Sequence, residues 1–155
     1  MLEVGIQADK PEAEVAFFLG LAELADGKQR RARQLFQLEL KHYPKRLQAA
    51  ISLIRIDGKA KRHKAVVEVA TQALVHAPQN SELLYAKTQS LFNLEEYERC
   101  RLELDLALVH HPASPDLMLL DANLLSKEGK PEAGKARFTE AQEAQRAALL
   151  EAGSK

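Results

Sequence analysis

The sequence predicts an all-α fold, a right-handed superhelix of stacked antiparallel helical hairpins, and three observations carry that expectation. Pro44, Pro78 and Pro112 stand 34 residues apart each time, a period that marks stacked supersecondary units. A register in which each unit ends two residues after its proline gives units 13–46, 47–80 and 81–114, with a fourth opening at 115, and small or apolar residues then fall into columns. Within each half unit the apolar residues lie three and four apart, the spacing of an amphipathic helix.

The elements follow in order. A first helix near 13–26 carries Ala16 and Gly20 at the fourth and eighth places of its unit, and Gly27 marks the turn after it, because glycine tolerates tight-turn backbone angles. The second, near 29–42, carries Ala32, Phe36 and Glu39 at the twentieth, twenty-fourth and twenty-seventh places, and Pro44, lacking the donor that a helix interior needs, marks its stop. The third, near 46–57, repeats the pattern with Ala50 and Ile54, and Gly58 lies near its turn. The fourth, near 61–76, has Val66, Ala70 and Ala73 before Pro78. The fifth, near 81–93, has Leu84 and Thr88, and Glu95 and Glu96 after it read as a capping and turn region. The sixth, near 97–110, has Cys100, Leu104 and Ala107 before Pro112. The seventh, near 115–128, has Met118 and Ala122 ahead of Gly129, and the eighth, near 131–150, has Gly134, Phe138 and Ala141. One hairpin of this length cannot bury its apolar face alone, whereas neighbours share a continuous core. Ala32, Ala73, Ala107, Ala122 and Ala141 are expected at the close contacts, with Phe36, Leu104 and Phe138 supplying bulk.

Composition agrees with a folded, soluble chain. The 155 residues are 46% hydrophobic and 28% charged, with 22 basic and 22 acidic side chains. A lone cysteine, Cys100, builds neither an internal disulfide nor a zinc site, and its place in a small-residue column assigns it to packing. No run reaches the roughly 18 apolar residues of a bilayer span, and Glu3 and Asp9 are foreign to a secretory signal. The expectation is a soluble cytoplasmic or periplasmic domain with no cofactor. For residues 1–12 two readings stand: Leu2, Val4 and Ile6 before Asp9 and Pro11 are the end of a preceding second helix, or they form a short N-terminal extension to the hairpin domain of 13–155.

With these columns in place, the chain resembles the tetratricopeptide repeat (TPR) family over residues 13–146. The third unit carries the resemblance best, through Leu84, Tyr85, Lys87, Thr88, Leu91, Tyr97, Cys100, Leu104, Ala107 and Pro112. It departs from the family at Lys87, where an apolar residue is usual, and at Thr88, where glycine or alanine is usual. The first unit carries Glu39 in place of the usual alanine; the second lacks the turn glycine at Lys61 and has Ile54 where a small residue is expected. The fourth matches through its second helix, which runs on through Gln142, Glu143, Ala144, Gln145 and Arg146 as a terminal cap.

The resemblance implies that the first helices line a concave channel into which the fifth and ninth places of each unit point: Phe17 and Leu21, Ile51 and Arg55, Tyr85 and Gln89, Leu119 and Asn123. Aromatic and arginine residues in that set suit a peptide groove; core packing is the alternative for Phe17, Leu21 and Ile51. The basic and asparagine clamp by which some members hold a chaperone tail has no counterpart, since Phe17, Leu21, Ser52, Glu82 and Ala86 occupy its sites. Residues 28–64 carry a net charge of +10, from 12 basic side chains against Glu39 and Asp57. The densest part, Lys59, Lys61, Arg62, His63 and Lys64, is expected at an edge of the molecule, where it steers an acidic partner. No aromatic interleaving accompanies it, so specific nucleic-acid recognition is not expected.

His42, His76 and His110 recur every 34 residues, but equivalent atoms of adjacent helices lie roughly 10 Å apart, too far for one metal ion. No acid–base constellation or phosphate loop stands out. The sequence therefore points to a noncatalytic protein-interaction scaffold that binds a protein or peptide segment, with an assembly module supporting oligomerisation or a neighbouring domain as the alternative.

Overall fold

A computed structural model describes residues 12–154 of the chain. Among these, all regular structure is helical: α1 Val15–Ala25, α2 Gln29–His42, α3 Leu47–Lys59, α4 His63–Leu74, α5 Ser81–Asn93, α6 Tyr97–His110, α7 Pro115–Lys127 and α8 Pro131–Gly153. Successive helices pair as hairpins, α1 with α2, α3 with α4, α5 with α6 and α7 with α8. The chain divides into two compact units, one ending at Pro78 and the other beginning at Gln79. The reading of Leu2, Val4 and Ile6 as a preceding helix lies outside the described residues.

Each hairpin closes through the same turn. Gly27, Lys61, Glu95 and Gly129 stand 34 residues apart and all take left-handed backbone, with φ of 76°, 56°, 60° and 78°. At each, two backbone bonds close a Schellman motif: Glu95 N donates to the Phe92 carbonyl and Glu96 N to the Leu91 carbonyl, and Lys61 N and Arg62 N reach Gly58 and Asp57 likewise. The third helix, expected to end near 57 with Gly58 close to its turn, instead runs on to Lys59. Gly58 lies inside α3, and Lys61 takes the left-handed position that glycine holds in the first and fourth hairpins. Glu96 sits at the N-cap of α6 without making a side-chain cap bond. Asn80 and Ser114 do cap, their side-chain oxygens accepting from Leu83 N and Leu117 N at the starts of α5 and α7.

In the first unit, Ala32 and Phe36 of α2 share a buried cluster with Ala49, Leu53 and Ile56 of α3. Gly20 lets α1 approach this cluster closely, since a Cβ there would lie 2.7 Å from the Phe36 ring. Two acids are fully buried. In Glu39, the departure from alanine, Oε1 accepts from Glu14 N at 3.1 Å and lies 3.2 Å from Arg46 Nε. Asp57 receives Arg33 through two bonds of 2.6 and 3.2 Å and Arg62 through a third of 2.7 Å. Burying a charge is costly unless it is paired and hydrogen-bonded, and arginine supplies that pairing for both acids.

The second unit is built around Leu83, Leu91, Leu104, Leu117 and Leu124, with Cys100, Ala107 and Ala141 at close contacts. Thr88 is accommodated without loss of packing, because its hydroxyl donates back to the Leu84 carbonyl at 2.8 Å. Lys87 is buried and meets Glu103 at 2.7 Å. One unit later in the register the same two places hold Asp121 and Arg137, joined at 2.8 Å with the charges exchanged. The expectation for Phe138 is corrected: Phe36 and Leu104 at its place are fully buried, whereas Phe138 is 47% exposed, because no helix among the described residues covers it on that side.

Candidate functional site

The eight channel candidates form four pairs, each separated by four residues on one first helix, so both members of a pair lie on one face. The neighbouring columns fix the orientation. At the fourth and eighth places Ala16 and Gly20, Ala50 and Ile54, Leu84 and Thr88, and Met118 and Ala122 are all buried. At the fifth and ninth places none is buried: Leu21, Arg55 and Asn123 are exposed, and Phe17, Ile51, Tyr85, Gln89 and Leu119 are partly so.

In the first unit, Phe17 is divided between surface and core. Its ring lies 5.9 Å from that of Phe36 and 5.5 Å, edge-on, from that of Phe18, so removing it would disturb packing as well as surface. Leu21 and Arg55 are exposed and Ile51 is half-buried. In the second unit, the Tyr85 hydroxyl donates to Gln89 Oε1 at 3.1 Å, and Gln89 Nε2 continues to Asn93 Oδ1 at 3.5 Å. This polar ladder runs along α5, and Tyr85 itself is half-buried. Burial, and then the Asp116 carboxylate, push the Tyr85 hydroxyl above its ordinary pKa, so it remains a neutral donor. Leu119 is half-buried and Asn123 exposed on α7.

The basic residues lie at the α3–α4 turn. Lys59 ends α3, Lys61 occupies the left-handed turn position, Arg62 is the N-cap of α4, and His63 and Lys64 open α4. Lys59, Lys61 and Lys64 are exposed. Arg62 pairs with Asp57 and is exposed as well, so the cationic edge that faces solvent is the three lysines together with Arg62.

Two features escaped the sequence reading. A cavity of about 540 Å³ opens at the α2–α3 turn, lined by His42, Tyr43, Pro44, Lys45, Arg46, Gln48 and His76. Its signal was the recurrence of histidine two residues before proline, which brings two unit ends to one hollow. The second is the charge cluster in which Arg101 reaches Asp121 at 2.6 Å and Glu128 at 2.9 Å. The Arg101 hydrogen bonds to Glu128 hold its carboxyl below the usual carboxylate range. Cys100 is buried and its thiol donates to the Thr88 carbonyl at 3.3 Å. Burial pushes it up to about 11, which leaves it protonated and without nucleophilic character. No described helix is long and apolar enough to cross a membrane.

No protein-family model and no curated protein matches the chain. Solved structures do. A crystal structure of MamA superimposes with a TM-score of 0.80 at 12% identity, covering 96% of this chain and 86% of that one. A MamA from MSR-1 gives 0.77 at 22% identity, over 96% and 85% of the two chains. Residues 41 to the end of MamA from Desulfovibrio magneticus RS-1 give 0.73 at 19% identity, over 85% and 75%. At these identities the likeness is one of fold, and it establishes an all-α array of antiparallel helical hairpins of the TPR-like kind.

Proposed function

We propose that this chain is a noncatalytic protein-interaction scaffold of the TPR type, receiving a peptide or protein segment on the first-helix faces of its hairpins. The observation that carries the reading is the alternation described above: in all four hairpins the fourth and eighth places are buried while the fifth and ninth are accessible. Within each two-hairpin unit, a face repeated in register offers spaced contacts to a bound segment. Tyr85 supplies a broad apolar face with a polar tip, and Gln89 and Asn123 supply amides that match the donors and acceptors of a peptide backbone. Arg55 supplies a charge-assisted donor to carboxylate or carbonyl groups. The exposed lysines at the α3–α4 turn add long-range attraction for an acidic partner, which acts on association rate and salt dependence more than on final affinity.

The test is recovery of a binding partner by affinity capture from the source cell, then calorimetry of that partner against wild type, Arg55→Ala and Tyr85→Ala. Helical circular dichroism should be unchanged in both variants. Each should weaken binding by about 1–2 kcal/mol, roughly 5-fold to 30-fold. Equal binding by all three proteins rejects the first-helix faces as the contact surface.

A further inference from the structure

We propose that the α7–α8 face of one copy of this chain seats α1 of a second copy, so that the hairpin register continues from chain to chain. The proposal rests on the junction between the first two hairpins, and its cavity shares Asn123 with the first-helix reading.

At that junction Phe36 of α2 is fully buried in a cluster with Ala49, Leu53 and Ile56 of α3, the third, seventh and tenth places of their unit. Beside it Arg33 bridges to Asp57 through two hydrogen bonds. The α7–α8 face carries the same elements with the cover missing. Phe138 occupies the place of Phe36 and is 47% exposed, Lys135 occupies the place of Arg33, and a cavity of about 390 Å³ lies over Ala122, Ser126, Gly134 and Phe138.

The complementary elements are on α1. Its third, seventh and tenth places are Val15, Leu19 and Ala22, all apolar, with Val15 43% exposed and Ala22 exposed. Glu23 stands at the place of Asp57. Lys28 meets Glu23 as Arg62 meets Asp57, five residues on, and Arg31 holds its other oxygen. What Glu23 lacks is a cation from a preceding hairpin: its Oε2 is buried and, although Lys28 Nζ lies 3.3 Å away, makes no hydrogen bond, and its side chain is 10% exposed where that of Asp57 is 1%. In the proposed contact Lys135 of the first copy takes the part of Arg33, and Val15, Leu19 and Ala22 of the second copy cover Phe138. Such an interface is heterologous, pairing two different surfaces, so each bound copy still presents one free edge for the next.

The test is sedimentation equilibrium of the full chain from micromolar to sub-millimolar concentration, with Phe138→Lys and Lys135→Glu as variants. Both positions face solvent, so the variants should keep wild-type helicity. Wild type should gain mass with concentration, and each variant should need roughly ten-fold more protein for the same gain. Phe138→Lys retains an intact α1, so adding it to wild type should stop growth and lower the average mass. A wild type that is monomeric throughout overturns the proposal and assigns the face to the chain's own first residues or to a helix of another protein. Association unchanged in Phe138→Lys, or a mixture whose mass does not fall, overturns it equally.

Discussion

A Cβ added to Gly134 would lie 2.7 Å from Ser126 Oγ and 2.8 Å from the Ala122 carbonyl oxygen, so α8 rests almost backbone to backbone on α7. Alanine is the better helix former by about 1 kcal/mol, but here the methyl meets a carbonyl that its own helix holds in place. Gly134→Ala is expected to destabilise the chain by about 1–3 kcal/mol, the usual cost of overpacking, read as a lower urea midpoint. A midpoint at or above wild type would show that the helices part at little cost. Gly20 faces a ring edge of Phe36 instead. Both glycines stood in legible small-residue columns, because close helix approach selects for size at a fixed place in the repeat. Which neighbour each one meets was not legible, since that depends on side chains from another helix.

The four left-handed turns show what spacing reveals and what it hides. Gly27 and Gly129 announce their turns, whereas Lys61 and Glu95 do the same work with side chains that the backbone region disfavours by about 1–2 kcal/mol. Glu95→Gly is expected to stabilise the chain by up to about 1 kcal/mol, after the entropy that glycine adds to the unfolded state is deducted, and thermal unfolding at neutral pH reads the gain. A fall in melting temperature would mean that the Glu95 side chain contributes more than its backbone costs. Gly58 misled the sequence reading because a glycine near a helix end resembles a stop, although the Schellman bonds form three residues later, at Lys61. Helix positions were otherwise legible from period and proline. The interior charges were not: Lys87, Glu103, Asp121 and Arg137 look like surface residues until their partners, 16 positions away, are brought opposite them. Phe138 was misjudged for a related reason, since its column describes a residue with a following hairpin over it.

Across the molecule, charge is neutral in sum yet arranged so that interior acids lean on arginine. The arrangement makes stability depend on pH. Arg101 holds Glu128 below the usual carboxylate range, so that contribution is complete above the ordinary glutamate value of about 4.3 and is lost as pH falls through the lower folded value. The melting temperature should therefore fall on acidification from about pH 5 toward pH 3, and Arg101→Gln should flatten that dependence; an unchanged slope in the variant would place the acid sensitivity elsewhere. The exchanged polarity of Lys87–Glu103 and Asp121–Arg137 has a further consequence, for folding kinetics. Repeats of similar sequence risk collapsing with the wrong partner helix. If α5 took the hairpin place of α7 against α8, Lys87 would face Arg137, and if α7 took that of α5 against α6, Asp121 would face Glu103, so each mispairing would bring two like charges together. The two hairpins thus carry opposite keys, and a nascent chain that tries the wrong lock is repelled before its leucines can hold it there.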